Sequence, residues 1–164
     1  VQEGLITSEP QKGKHVRQMT GKEIYDSYVV AGILEGAGVA ESLPLWTEAN
    51  METFRSVVRQ MEGKISYATK LDELAEIDEL FHATLFMACD NTRLVEMART
   101  SCATISKYLY YQHWITMFTP REYADRHHAV AEAVYSRDVK HVETALRDHY
   151  KETGLRMAQF GKEA

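Results

Sequence analysis

From Thr20 onward the chain is a series of amphipathic segments in which apolar residues recur at helical spacing. A capping box formed by Thr20 and Glu23 opens the first segment, and Thr119, Pro120 and Glu122 open a later one in the same way. Only 3 Pro and 9 Gly occur in 164 residues, which argues against a turn-rich all-β chain. The pattern predicts one all-α domain, an antiparallel bundle of six to seven helices.

Capping residues and helix breakers set the predicted boundaries of these helices. We expect helices over about residues 20–42, 47–61, 69–88, 92–118, 120–136 and 139–160. The segment before them has a different pattern, with two short strands at about 5–7 and 14–19 and a turn at 10–13. This predicts a small hairpin with basic residues around its tip, and a disordered basic tail is the alternative.

Charge and cysteine content exclude several classes of protein. The formal net charge is −5, which argues against a nucleic-acid surface covering the whole chain. The two cysteines, Cys89 and Cys102, form no CxxC motif, and the sequence shows no signal-peptide pattern. We therefore expect no disulfide framework, no cysteine metal site and a cytoplasmic location. Because no run of 18 uncharged apolar residues occurs, we expect no membrane span.

Two polar residues interrupt the apolar stripe of the predicted third helix. Asp78 falls at the centre of the stripe, and His82 lies one turn further along the same face. An isolated buried carboxylate costs several kcal/mol, so Asp78 needs a cation, a strong set of donors or a metal. His82 supplies a second ligand at a spacing that helices use for metals.

Two more histidines lie on the apolar stripes of the last two predicted helices. At about 100° per residue, His127 and His149 point inward, whereas their neighbours His128 and His141 point away. Taken singly, each inward histidine also fits a core residue bonded to a backbone carbonyl. Taken with the aspartate and histidine of the third helix, they predict a site for one divalent metal. Zinc is the first candidate, and nickel, manganese and iron are alternatives.

Short motifs along the chain resemble those of a known family. They are DELFH at 78–82, ACDN at 88–91, RHHAVAEAV at 126–134, SRD at 136–138 and RDH at 147–149. With them the chain, from about residue 21 to 161, resembles the FCD ligand-binding domain of FadR-type GntR-family bacterial transcription regulators. The preceding EGLITSEPQKGKHV is similar to the end and wing of the winged helix-turn-helix domain of these proteins.

The resemblance implies a domain division and a set of partners. Residues 1–19 would be the end of a DNA-binding domain whose remainder is missing upstream, and residues 20–164 would be the FCD domain. Asp78, His82, His127 and His149 would hold one metal, with a small carboxylate effector over it. The resemblance also implies a homodimer and contact with operator DNA through the N-terminal domain. In the wing remnant, Lys12 and Lys14 are the candidates for DNA contact.

The sequence defines the effector contacts less clearly than it defines the metal ligands. Many family members carry an arginine where this chain has Ala31, one turn before Leu34 and Glu35, so the effector is expected to be less anionic or to find its counter-charge elsewhere. Candidate contacts are Arg93, Arg99, Arg126, Tyr108 and Tyr111. Solvated surface arginines, and tyrosines of the core or a dimer surface, are the alternatives.

Two classes of function agree with these features. The first is a non-enzymatic sensory domain, in which a carboxylate metabolite coordinates the metal and shifts the arrangement of attached DNA-binding domains. The alternative is a mononuclear metal-dependent enzyme acting on small organic acids, because three histidines and one carboxylate also activate water. Against the enzyme, no second acid or base lies on a stripe near the four ligands, and a wing remnant has no purpose there.

Overall fold

A computed structural model describes residues 6–9 and 13–163. Within them the structure has seven α-helices, which confirms the all-α bundle. The helices are α1 (Gly21–Ser42), α2 (Glu48–Ile65), α3 (Ala75–Leu85), α4 (Thr92–Ala103), α5 (Tyr111–Met117), α6 (Pro120–Tyr135) and α7 (Val139–Met157). Short 3₁₀ turns occupy Leu43–Leu45, Leu71–Leu74 and Ala158–Phe160, and a π-helical segment occupies Thr104–Leu109.

A two-stranded hairpin precedes the bundle. Strand β1 (Ile6–Glu9) pairs antiparallel with β2 (Gly13–Val16). Gly13 has φ of 88°, in the left-handed region that favours glycine. Lys14 is exposed on β2, whereas Lys12 and most of the predicted turn lie outside the described residues. The second strand is shorter than predicted because the chain leaves it before Met19, which is buried against the bundle.

The predicted helix starts agree with the structure where a capping residue marks them. The Thr20 and Thr119 side chains accept hydrogen bonds from the backbone of Glu23 and Glu122, and both capping boxes are complete. Asp138 caps α7 by accepting from two backbone N–H groups. These local bonds satisfy donors that a helix N-terminus otherwise leaves free, so the boundaries can be predicted without knowledge of the tertiary fold.

The prediction of one continuous helix over 92–118 was wrong. Helix α4 ends at Ala103, the backbone then follows the π-helical segment, and Tyr110 leaves helical geometry with φ of −127°. The break has a tertiary cause: Ile105 is buried in a core cluster, and the Tyr110 hydroxyl hydrogen-bonds the Met19 backbone. A regular helix would not direct both side chains to these partners. The predicted third helix is also shorter, since residues 71–74 form a 3₁₀ turn.

Helices α1 and α7 approach each other closely because glycines line their crossing. A Cβ at Gly32 would lie 2.9 Å from the Tyr150 Cβ, and one at Gly154 would lie 2.8 Å from the Tyr28 Cβ. By length and composition the segment Gly21–Leu45 resembles a membrane span, but half of its apolar window is buried inside the bundle. Its packing is that of a core helix, and it brings α1 side chains to the centre of the molecule.

Candidate metal centre and adjoining cavity

Three helices bring three imidazole rings together inside the bundle. His82 comes from α3, His127 from α6 and His149 from α7, and one ring nitrogen of each lies within 4.8 Å of the others. The ring centroids of His127 and His149 are 4.8 Å apart, and that of His82 lies 5.6 and 5.3 Å from them. We call these three residues, with Asp78, the histidine cluster.

Asp78 faces the most deeply buried imidazole of the cluster. Its Oδ1 lies 3.1 Å from the His127 Nε2. The other ring nitrogen of His127 lies 2.8 Å from the Tyr123 carbonyl, which can only accept, so Nδ1 carries the proton. Burial lowers the pKa of His127, and the attraction that Asp78 would exert on a protonated ring does not reverse that shift. The neutral ring therefore turns an Nε2 lone pair toward the carboxylate.

The Asp78 carboxyl group itself is ionised. Burial would raise its pKa, but the contact with His127 and the charge of His82 outweigh burial and lower it. A carboxylate oxygen and an imidazole lone pair thus lie at hydrogen-bond distance, with the ring buried and the Asp78 side chain 26% exposed. Such a pair is stable only with a proton or a metal cation between the two atoms.

His82 is oriented by a carboxylate from a different helix. Its Nδ1 donates to the Glu35 Oε1 at 2.6 Å, and the Tyr150 hydroxyl donates to the Glu35 Oε2 at 2.7 Å. Burial opposes protonation of His82, but the charge and hydrogen bond of Glu35, together with Asp78, raise its pKa to about 9. The bond at Nδ1 leaves Nε2 for a ligand, an arrangement typical of metal-binding histidines.

The third histidine has a ring nitrogen without a partner. The His149 Nδ1 is buried and accepts or donates no hydrogen bond. Burial, and then the charge of Arg126, lowers the pKa of His149 well below its usual value, so the ring is neutral. An unpartnered, neutral imidazole nitrogen beside two others suits a metal ligand.

The remaining histidines of α6 and α7 point away from the cluster. His128 lies on the outer side of α6 with its Nε2 3.3 Å from the Glu62 carboxylate. His141 is exposed near the start of α7, where its Nδ1 lies 3.5 Å from the Ser136 hydroxyl. Both positions agree with the outward orientation that helical periodicity predicts.

A cavity of about 260 Å³ adjoins the histidine cluster. One side is the cluster itself, and the opposite side is formed by α4, the π-helical segment and α5. Of the five predicted effector contacts, Arg99, Arg126 and Tyr111 line this cavity. Arg93 and Tyr108 do not line it: the Arg93 guanidinium pairs with Glu96 at the surface, and Tyr108 is 65% exposed.

Arg126 is already engaged by the protein. Its Nε donates to Glu152 at 2.8 Å, and its Nη2 donates to the His149 carbonyl and to the Thr153 hydroxyl. The guanidinium also lies 4.0 Å from the centre of the Phe118 ring. These contacts neutralise the charge that Arg126 brings to the cavity wall and hold the backbone of α7 beside His149.

Four polar side chains of the candidate site were not predicted from the sequence: Tyr28, Glu35, Tyr123 and Tyr150. All four line the cavity. A signal for Glu35 exists, because it lies four residues after Ala31 and seven after Tyr28, on the buried stripe of α1. A charged residue on a buried helix stripe indicates a candidate site residue, as Asp78 does in α3.

Comparison with known proteins agrees with this architecture. The FCD domain family model matches residues 26–152, so the chain belongs to the FCD domain family. The HTH-type transcriptional repressor RspR of Escherichia coli K12 is 24% identical over 163 residues, covering 98% of this chain and 69% of the relative. The HTH-type transcriptional regulator YdfH of Shigella flexneri matches with the same identity and coverage.

Solved structures show the same fold. A GntR-family regulator from Pseudomonas syringae pv. tomato superposes with a TM-score of 0.69 and 19% identity over 97% of this chain, which spans 66% of that protein. Escherichia coli McbR/YncC superposes with a TM-score of 0.77 and 14% identity, covering 97% of this chain and 75% of its own. The chain is thus the FCD effector-binding region of a GntR-type transcription regulator and not an enzyme.

Proposed function

We propose that this FCD domain holds one divalent metal through Asp78, His82, His127 and His149 and binds a small carboxylate effector in the adjoining cavity. Effector binding then changes the arrangement of attached winged-helix domains and so controls their binding to operator DNA. Zinc is the first candidate for the metal, with nickel, manganese and iron as alternatives.

The contact between Asp78 and His127 carries the metal proposal. An ionised carboxylate and an imidazole lone pair lie 3.1 Å apart, with the imidazole proton committed to a backbone carbonyl on the other side of the ring. A divalent cation ligated by both atoms removes this conflict. A bound metal would also offer a Lewis-acidic site for an anionic oxygen of the effector.

The charges around the cavity favour a weakly anionic effector. A divalent cation is balanced by Asp78 and by the buried Glu35, and Arg126 is balanced by Glu152. Lys107 is balanced by Glu79, and the exposed Arg99 adds one positive charge, so the site with its metal carries about one net positive charge. Ala31 adds no charge on α1. These charges support a monocarboxylate over di- and tricarboxylates of similar size.

The remaining parts of the proposal rest on the family. A regulator of this kind acts in the cytoplasm, as a homodimer, on operator DNA bound by the domain that precedes α1. The hairpin with Lys14 would be the wing of that domain. Leu80, 42% exposed on α3, is a candidate for the dimer surface.

Metal content tests the proposal directly. We expect one metal ion per chain by elemental analysis of native protein, and loss of most of it in the His127→Ala, His149→Ala double variant. The matched control replaces the two outward histidines, His128→Ala and His141→Ala, and should keep full occupancy. A folded double variant with full metal content would refute the ligand assignment.

A further inference from the structure

Two tyrosine hydroxyls on the cavity wall have no role in the site described so far. Tyr28 comes from α1 and Tyr123 from α6; each is 2% exposed, and both line the cavity. Both hydroxyl oxygens are buried, and neither makes a hydrogen bond of normal geometry within the described residues, although Tyr28 lies near Ser106 and Tyr123 near Asp78. Buried hydroxyls in native proteins are nearly always bonded, so an unpartnered pair beside one cavity points to a ligand.

Several other polar groups near the two phenols are already bonded. Glu35 uses both carboxylate oxygens, for His82 and for Tyr150. The Ser106 hydroxyl, beside Tyr28, donates to the Cys102 carbonyl at 3.2 Å. With the guanidinium of Arg126 also engaged, the two phenols are buried hydroxyl donors that a ligand in the cavity can reach.

Both phenols keep their protons at physiological pH. Burial is the main cause that raises the pKa of Tyr28 well above its usual value, and burial followed by the charge of Asp78 raises that of Tyr123. They therefore act as neutral donors and recognise an acceptor oxygen. The two differ in place: the Tyr123 ring lies 3.9 Å from the His127 ring, whereas Tyr28 lies toward Cys102 on the far side.

We infer that Tyr28 and Tyr123 form a donor pair that selects effectors carrying a second oxygen besides the carboxylate that faces the histidine cluster. This inference rests on the proposed function and adds the ligand class, short oxo- or hydroxy-monocarboxylates. A single net positive charge is balanced by one carboxylate, so the site favours a carbonyl or hydroxyl as the second group over a second carboxylate. A buried donor left unbonded by a plain carboxylate makes that analogue bind less tightly.

Titration calorimetry of the metal-loaded chain tests the inference with four probes of similar size: propionate, pyruvate, lactate and malonate. We expect pyruvate or lactate to bind about tenfold or more tightly than propionate, and malonate to bind less tightly than the better of the two. In Tyr28→Phe and Tyr123→Phe, that preference over propionate should fall roughly 3- to 10-fold per substitution while propionate binding is unchanged. Tyr108→Phe, which alters an exposed phenol outside the cavity, is the matched control.

The outcomes separate this inference from the proposed function. Metal content and thermal unfolding are measured on every variant, so loss of the metal site or of the fold is seen independently. Equal binding of all four probes, or a preference that survives both Tyr→Phe changes, would overturn the donor pair while leaving carboxylate binding intact. If none of the four bound to metal-loaded native protein, both the donor pair and the carboxylate effector would be refuted.

Discussion

The histidine cluster and the opposite side of the cavity face the same space but are built differently. On the cluster side, α3, α6 and α7 carry many buried residues, and Glu35 reaches across from α1 to bond His82. On the other side, α4 has one buried residue, Ala98, the π-helical segment has one, Ile105, and α5 has none. We call this second side the α4–α5 wall.

This difference separates two tasks. A metal site needs ligands held in fixed directions, and the cluster side provides this through packing and hydrogen bonds to the far ring nitrogens. A site that admits an effector must open, and segments with few buried contacts open at the lowest cost in free energy. The α4–α5 wall, interrupted by a π-helical segment, therefore suits the movable side of the cavity.

Removing the support behind the cluster should have the largest effect. Glu35→Ala takes away the acceptor of the His82 Nδ1 and leaves the Tyr150 hydroxyl without its partner. We expect metal affinity, measured by competition with a chromophoric chelator, to fall about 10- to 100-fold. Glu35→Gln keeps an acceptor oxygen and should lose less.

Glu41→Ala on the exposed side of the same helix is the control and should leave affinity unchanged. If Glu35→Ala also kept native affinity, the carboxylate would not orient His82, and the rigidity assigned to the cluster side would have to come from packing alone.

The contrast between the two sides also explains what the sequence could predict. Asp78, His82, His127 and His149 could be located because each lies on a regular helix whose apolar stripe faces the core. The capping boxes at Thr20 and Thr119 are local, so the helix starts could be predicted as well.

The α4–α5 wall could not be predicted in this way. Its helix breaks where tertiary contacts of Ile105 and Tyr110 require it, and no Gly or Pro marks the break. Tyr108 illustrates the consequence: it was a candidate effector contact on a continuous helix, but the changed phase beyond residue 103 leaves this side chain exposed. Periodicity is informative only while the helix remains regular.

The protonation of His82 should have an effect of intermediate size on the pH dependence of folding stability. In metal-free protein the pKa of His82 is raised to about 9, above its unfolded value of about 6.5. A raised folded pKa stabilises the protein below the unfolded pKa, and this contribution is lost as pH rises from about 6.5 through about 9. We expect the NMR titration of the His82 ring in metal-free protein to have its midpoint near the upper value.

The Glu35→Gln variant provides the comparison, because it removes the charge that raises the pKa. Its midpoint should be lower, and its stability should fall less between neutral pH and pH 9. A native His82 midpoint below 6.5 would show that burial outweighs Glu35, and the cluster side would then lack the fixed proton at Nδ1 that the structure indicates.

The smallest expected effect concerns the hydrogen bonds of Tyr110, which join the α4–α5 wall to the residues that precede α1. At the end of the π-helical segment, the Tyr110 hydroxyl lies 3.1 Å from the Met19 nitrogen, which donates to it, and 3.3 Å from the Met19 carbonyl, which accepts from it. Tyr110→Phe should lower the free energy of unfolding by about 0.5–1.5 kcal/mol in urea titrations, because one partly buried pair of hydrogen bonds is lost. Tyr108→Phe, the control, should change the free energy of unfolding by less than about 0.5 kcal/mol.

Hydrogen exchange tests whether the two sides of the cavity open separately. In Tyr110→Phe, exchange should be faster around Met19 and residues 104–110 and unchanged in α6 and α7. Faster exchange in α6 and α7 as well would mean that the two sides of the cavity open as one unit, contrary to the division argued from their packing.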